Sequence, residues 1–531
     1  MTHGARQSII ESCPLLERDR ELQALDSALS ELRDAADGVP RTLPGGLLAF
    51  TGPAGLGKSA LMAEARTRAT TRGFTVLSGR GGENEQESAF RVVRQLVQPA
   101  LALMDEDVHV FLGSWYDIVA GALGLEATDT AHAPDPTGVR DGLDWVMTRL
   151  TVRKAPVVLL LDDLHWADVE SLGWLTSFAS RAADLPLLIV VAYRPDELPP
   201  EAAAFRALVA RHGNRPQALA PLSAPAVARI VRDEVGDGAE DDFCEECWTV
   251  TGGSPFEAVE LAIGLGERNL KGTQDELPAM RNVAAAVKGP GLIERLRRLG
   301  TTTVHFAYAA AVLGAPAAPE LAATIAVVGS EEAAEAAERL RAARILAGSP
   351  GPGGLEFVHP LIATTIYRSI PSHLRVGMHD AASQAVLAAG LGASAAARHL
   401  LEVPCDGRPE VVECLRKAAR EYLRAGAPEA ARRVLARALQ EPPVTEDRAE
   451  LLHEIAGATF LMDPTATVTH LREALAEPVA DPDLRASIVY RLTQALAHTD
   501  QLAEAATVAA EEAHHTASPR VRLRMQADHF V

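Results

Sequence analysis

Gly52-Pro53-Ala54-Gly55-Leu56-Gly57-Lys58-Ser59 follows the apolar run Leu47-Leu48-Ala49-Phe50-Thr51 and precedes a helical pattern over residues 58–72. The stretch satisfies G-x-x-x-x-G-K-[ST], a phosphate-binding loop. Glycine lets the backbone curl until its N–H groups converge on an anion. The helix behind it points the positive end of its dipole at the same place. Lys58 neutralises charge at the β- and γ-phosphates, and the Ser59 hydroxyl is a hard oxygen ligand for Mg²⁺. Gly52, Pro53, Ala54, Gly55, Leu56, Gly57, Lys58, Ser59 and Ala60 are therefore assigned to nucleotide, with Ser59 also on the metal.

The surrounding pattern is that of a parallel sheet. After the helix stops at Gly73, Phe74-Thr75-Val76-Leu77 is a second strand, so a complete βαβ unit fits here. Val157-Val158-Leu159-Leu160-Leu161 is a third strand and ends in Asp162-Asp163. A helix over 168–183 follows, and then the strand Leu187-Leu188-Ile189-Val190-Val191-Ala192, which runs into Tyr193-Arg194-Pro195. Continuous apolar strands alternating with helices give a parallel sheet covered on both faces. Asp162, at a strand end, suits Mg²⁺ through water, and Asp163 suits the orienting of an attacking water. Either carboxylate could instead cap the next helix. Arg194 is placed to reach a γ-phosphate; the alternative is a surface arginine after a strand.

Composition excludes other classes. The net charge of −20 argues against a broad basic face that grips DNA. Hydrophobic residues are 47 % of the chain but aromatics only 4 %, which favours closely packed Ala- and Leu-rich helices over β-sandwiches. Lysine occurs only at 58, 154, 271, 288 and 417, a bias in favour of arginine that fits a GC-rich genome. The cysteines, at 13, 244, 247, 405 and 414, are scattered. Cys244 and Cys247 have no second ligand pair, so they read as helical residues one turn apart. With no signal peptide and no apolar run of membrane-spanning length, a cytoplasmic location is expected.

Residues 14–36 read as an amphipathic helix broken by the stretch Gly38 to Gly46. After about residue 220 strands almost vanish. Residues 222–285 are helical. Residues 291–370 are helices and then a hairpin, Arg344-Ile345-Leu346-Ala347 and Leu355-Glu356-Phe357-Val358-His359, joined by the turn Pro350 to Gly354. That is the pattern of a winged helix. From 376 onward the chain is Ala/Leu/Arg helix, with two degenerate helical-hairpin repeats, Ala418 to Leu439 with Gly426 at its turn, and Leu492 to Ala513 without one.

Leu16-Glu17-Arg18-Asp19-Arg20-Glu21-Leu22, the phosphate loop and Leu161-Asp162-Asp163-Leu164-His165-Trp166-Ala167-Asp168 together resemble the large ATP-binding regulators of the LuxR family. So do Ala220-Pro221-Leu222-Ser223, Thr251-Gly252-Gly253-Ser254-Pro255-Phe256 and Phe357-Val358-His359-Pro360-Leu361. Those regulators are signal-transduction ATPases with numerous domains (STAND), similar to AAA+ proteins. The resemblance spans residues 14–380 and implies a multidomain chain. An α/β P-loop domain with a parallel sheet (1–218) is followed by a helical lid (219–287), a winged helix (288–375) and all-α TPR-like repeats (376–531). It also implies roles. Arg18 and Asp19 would lie near the adenine, Pro255 would sit on the base, and His359 would contact the β-phosphate in a closed, ADP-holding state. A packed core histidine is the alternative for His359. Met378-His379-Asp380 matches the family's Met-His-Asp signature literally, yet lies in the helix beyond the winged domain and reads as a decoy.

Function follows as an ATP/ADP switch with slow Mg²⁺-dependent hydrolysis, governing transcription. The alternatives are a turnover ATPase, such as a motor or kinase, and a nucleotide-stabilised scaffold. An unidentified inducer at the helical repeats is the implied partner, and a nucleotide-dependent oligomer is left open. Contact with DNA and RNA polymerase is expected only through a C-terminal helix-turn-helix. None follows Phe530-Val531, so truncation is expected.

Overall fold

The computed structural model describes residues 15–36, 46–83, 85–125, 134–211, 216–287, 289–314, 316–347, 354–442 and 445–515, with 519, 521–523 and 526. Pro14, most of the stretch Gly38 to Gly46, the hairpin turn at 350–353, and Phe530-Val531 lie outside the described residues.

The first helix, α1 (Asp19–Ala36), begins later than its apolar pattern suggests and buries Leu25, Leu29 and Leu32 on one face. Then come β1 (Leu47–Thr51), α2 (Lys58–Thr71) and β2 (Thr75–Arg80). Beyond α3 (Arg91–Ala102) lie β3 (Val157–Asp162), α4 (Val169–Phe178), β4 (Leu187–Tyr193) and the short β5 (Gln217–Ala218). The helix expected over 168–183 is α4 followed by a 3-10 stretch, Ala179–Asp184.

All pairings in the sheet are parallel, in the order β2-β3-β4-β1-β5. The strands β1 and β4 are buried along their whole length, as continuous apolar strands in a covered sheet must be. Thr51 pairs with Tyr193 and Arg80 with Asp162, so the carboxyl ends line up. Because β4 sits between β1 and β3, the loops after all three leave one edge side by side, where parallel sheets bind ligands. The core beneath joins Phe50, Val158 and Val190 to Leu61, Met62 and Ala65 of α2. This is a parallel-sheet P-loop NTPase-like domain, and the rest of the chain is largely helical.

Next come α5 (Ala224–Val235), the helix Asp241–Thr251, α6 (Pro255–Glu267) and the helix Leu277–Val287, which share one core around Val227, Phe243, Leu261 and Met280. Cys244 and Cys247 are buried in it as free thiols.

In the hairpin expected over 344–359, Leu346 and Phe357 form an antiparallel bridge, Ala347 N–H donates to Glu356 O at 2.8 Å and Val358 N–H donates to Ile345 O at 3.1 Å, while Leu355 also bridges to Ala317 outside it. The flanking helices bound this short ladder. Arg344 has φ 54°, and Ile345 N–H donates to Leu340 O at 2.9 Å, so these residues terminate the helix Ser330–Ala342. His359 N-caps α7 (Pro360–Ser369).

The described residues up to Gln86, with Phe90–Leu112 and Leu143–Pro371, form one compact unit. The second unit holds Glu87–Ala89, Gly113–Gly142 and the chain from Ser372. In it each helix packs on the next, from Ser372–Ala388 to Leu502–His515. Gly426 takes φ 71° between two of them, and where the later hairpin has no glycine Asp500 takes φ 61°. No helix among the described residues is long and apolar enough to cross a membrane.

One carboxylate ties two helices to the sheet edge. Asp168 is buried and caps α4 through Ser171 N at 2.8 Å. It also accepts from Phe90 N at 2.7 Å and Arg91 N at 3.1 Å, at the start of α3. Removing it forfeits a cap worth about 1 kcal/mol and strands further buried donors at about 1–3 kcal/mol each. Asp168→Ala should therefore lower stability by at least ~2 kcal/mol, and Asp168→Asn by less, because one acceptor oxygen remains. Thermal melts of the three proteins decide; an Asp168→Ala melting point equal to wild type would show that the shared cap contributes nothing.

Candidate nucleotide-binding site

The phosphate loop takes the shape its glycines permit. Gly55 has φ 80° and Gly57 φ 87°, and a Cβ on Gly55 would stand 2.8 Å from Ser254 Oγ. The N-terminus of α2 has no side-chain cap, which leaves its first N–H groups for an anion. Lys58 is buried, and its Nζ donates to Gly52 O and Pro53 O, both at 2.8 Å. Burial, and then the Arg194 charge, lower its pKa. The cation is thus aimed into the loop at some electrostatic cost, which an anion there would relieve.

Asp162 ends β3. It hydrogen-bonds the Ser59 side chain and accepts from Asp163 N at 2.9 Å. Burial, and then the neighbouring Asp163 charge, raise its pKa. A hydroxyl and a carboxylate side by side, with the carboxylate short of compensating charge, suit Mg²⁺, which takes few protein oxygens and completes its shell with water and phosphate. Asp163 adopts φ 47° as the chain leaves the strand. Its buried carboxylate accepts from Arg80 Nη2 at 2.7 Å and Nε at 3.1 Å. Gly81 follows closely against this turn: a Cβ there would meet Asp163 O at 2.3 Å.

Arg194 leaves β4 beside these groups. Its Nη1 donates to both Glu197 oxygens at 2.9 Å, and its guanidinium lies 4.7 Å over the Trp166 ring. His165 is fully buried beside them, and burial pushes its pKa down to about 4.

A cavity of 200 Å³ opens on the other side of the loop. Gly55, Leu56, Gly57, Ser59 and Ala60 form one wall, Pro255 and Phe256 of α6 another, and Val358 and His359 a third. Arg18 lines it as well, donating from Nη2 to Leu56 O at 3.1 Å and to Ala220 O at 2.9 Å. Asp19 does not line it: this residue is exposed on the first turn of α1, where an acid suits the helix dipole. His359 stacks on Phe256 with ring centroids 4.3 Å apart, and its Nδ1 accepts from Leu361 N at 3.2 Å. Burial lowers its pKa to about 4, so the ring is neutral at pH 7 and its proton sits on Nε2. His379 belongs to the second compact unit, where its Nδ1 lies 3.2 Å from that of His399.

The structure therefore brings the phosphate loop, Asp162, Asp163 and Arg194 to one edge, and Arg18, Pro255 and His359 to one cavity. Sequence reasoning missed Arg80, Glu197 and Phe256. Arg80 carried a weak signal, a basic residue at a strand end before Gly81-Gly82; Glu197 carried none.

Residues 14–190 match the AAA ATPase domain family. An uncharacterized protein of Rhizobium meliloti (strain 1021) is 26 % identical over 415 residues, covering 73 % of this chain and 39 % of its own length. The chain thus spans well under half of that relative. Among solved structures, a STAND protein with a tetratricopeptide repeat sensor from Pyrococcus horikoshii aligns with TM-score 0.43 and 13 % identity. That alignment covers 93 % of this chain and 72 % of the other. The Aeropyrum pernix ORC2 protein, solved in ADPNP and ADP complexes, aligns with TM-score 0.33 and 12 % identity over 71 % of this chain and 96 % of its own.

Lys58→Ala removes the one lysine of the phosphate loop and should abolish ATP and ADP binding in calorimetry. Unchanged affinity would remove the loop from the site.

Proposed function

We propose that the chain is an ATP/ADP-operated switch of the LuxR-family type of regulator, with slow Mg²⁺-dependent hydrolysis as its timer. The observation that carries this reading is a run of contacts from three separate segments around one cavity. Gly55 O accepts from Phe256 N at 3.3 Å and from Ser254 Oγ at 3.4 Å, and Phe256 stacks on His359. A nucleotide there would touch the phosphate loop, the helices after residue 219 and the segment at His359 together. A ligand shifts a conformational balance only by contacting the two states differently, and a site built from three segments makes that possible. The parts are a nucleotide domain (1–218), a lid (219–287), a winged helix (288–375) and TPR-like repeats (376–531). Arg18 and Pro255 face the base, and the repeats receive the inducer. Control of transcription through a DNA-binding module is the output that the resemblance implies.

Mg²⁺, held by Ser59 and by Asp162 through water, would supply charge compensation for the phosphates. The chain's own residues do the rest. Lys58 leaves the Gly52 and Pro53 carbonyls for phosphate oxygens. Asp163 orients the water, which requires its carboxylate to turn from Arg80; that pair holds hydrolysis slow at rest. Arg194 reaches the γ-phosphate. A continuously turning-over ATPase fits less well, because both proposed working groups, Asp163 and Arg194, are held by partners.

Asp163→Asn should keep Mg·ATP bound while slowing hydrolysis by about 10²-fold or more, the range of a lost general base; Asp162→Asn should weaken the Mg²⁺ dependence itself. Single-turnover hydrolysis across a Mg²⁺ titration separates the two. Wild-type rates in Asp163→Asn would take the water away from this residue.

His359 donates from Nε2 to a β-phosphate oxygen in the closed state. A hydrogen bond to a charged group is worth about 1.5–3 kcal/mol, or roughly one to two decades in an equilibrium constant. His359→Ala should release a fluorescent ADP analogue faster by about that factor, and His379→Ala should not. Faster release from the His379 variant alone would mean that the two histidines are assigned the wrong way round.

A further inference from the structure

His165 is completely buried, and neither ring nitrogen has a hydrogen-bond partner among the described residues. Buried polar groups without partners are rare, and each one asks for a reason. Its Nε2 stands 3.7 Å from Glu197 Oε2 and 3.9 Å from Asp163 Oδ1, beyond hydrogen-bond reach of either. Asp163 is anchored by Arg80 through Oδ2, which holds its Oδ1 at that distance, and both oxygens of Glu197 are held by Arg194 Nη1 at 2.9 Å. Trp166 joins the set, with the Arg194 guanidinium over its ring and the His165 ring against it at a centroid separation of 4.5 Å.

Glu197 is the member that can move. Its side chain is 46 % exposed, whereas that of His165 is fully enclosed. A shift of less than about one ångström would bring a Glu197 oxygen into bonding distance of Nε2. The charged groups around the imidazole are Asp163, Arg194, Glu197 and Lys58. Burial keeps the ring neutral, so it offers a single N–H and the exchange transfers no proton.

We propose that His165 is a positioning residue for the γ-phosphate: when that group draws Arg194 away, Glu197 turns to the His165 N–H, and the ATP state gains a hydrogen bond that the ADP state lacks. The inference rests on the reading of Arg194 as the γ-phosphate ligand. It gives the orphan imidazole a partner in one nucleotide state only, which is what discrimination between ATP and ADP requires. The released carboxylate is also kept from recapturing Arg194.

The test is calorimetry on the full chain with Mg²⁺, using ADP and a non-hydrolysable ATP analogue. His165→Phe should weaken the analogue about tenfold or more while leaving ADP within about twofold. His165→Gln, which keeps an N–H donor, should recover most of the loss. In a Glu197→Ala background His165→Phe should change nothing further, since the two residues act as a pair. Equal weakening of both nucleotides, or the same loss with and without the Glu197 carboxylate, would reduce His165 to packing and overturn the proposal. Should His165→Phe not fold, ¹⁵N spectra of the wild-type histidine rings decide. A hydrogen-bonded Nε2–H with the analogue and not with ADP supports the exchange; identical spectra overturn it. Arg194→Ala tests the reading beneath. If it leaves the ATP-to-ADP preference intact, that reading fails and the exchange with it. If it removes the preference while His165→Phe does not, only the role of His165 fails.

Discussion

Lys58, Asp163 and Arg194 are charged groups withdrawn from water at one edge of a parallel sheet, and their mutual compensation sets the form of everything around them. A buried charge is tolerated only when it is paired and hydrogen-bonded. Each of these groups has a partner within the protein: two loop carbonyls for Lys58, Arg80 for Asp163, and Glu197 with the Trp166 face for Arg194. On the proposed reading, each partner is one that a phosphate, a water or a metal could replace. The protein thus neutralises its own site at rest, and binding becomes an exchange of partners rather than the capture of bare charges.

That arrangement depends on strand order. Loops after β1, β3 and β4 meet because β4 lies between the other two, although it comes last of the three in the chain. The turn after β3 packs so closely on the segment after β2 that only glycine fits at 81. Asp168, just beyond the same turn, fastens the starts of α3 and α4 with one carboxylate. The run from Asp162 to Asp168 therefore combines a strand end, a sharp turn and a helix cap within seven residues, which is why it is so distinctive as sequence.

Much of this was legible beforehand, for identifiable reasons. The phosphate loop is local: its glycines, lysine and serine act within one turn of each other, so the motif carries its own geometry. Asp162 and Asp163 were legible because a long apolar strand ends at them. Arg80 and Glu197 were not, because each is an ordinary charged residue whose meaning comes from a partner elsewhere, and non-local pairing leaves no periodic trace in one sequence. The hairpin over 344–359 was legible from two apolar runs around a Pro/Gly turn, and its arms do pair, through Ala347 N–H to Glu356 O and Val358 N–H to Ile345 O. What the sequence did not mark is how short the ladder is: helix termination at Arg344 and the cap at His359 bound it on either side. Asp19 was placed near the base by the family resemblance alone; it is exposed at the start of α1 and does not line the cavity that Arg18 lines.

The same cap bears on how a switch would work. His359 spends Nδ1 on Leu361 N–H, so the start of α7 fixes which nitrogen carries the proton. Its ring is oriented by the Phe256 stack, and Phe256 N–H is bonded to Gly55 O in the phosphate loop. A change at the phosphate loop therefore reaches His359 through two contacts, one polar and one aromatic, without any large movement being needed. On the proposed reading the converse also holds: a signal that pulls α7 away would turn the imidazole out of line and loosen Phe256 from the loop. Because coupling between two sites is reciprocal, a nucleotide that steadies this chain of contacts must hold α7 more firmly, and a signal that frees α7 must weaken the nucleotide by the same factor.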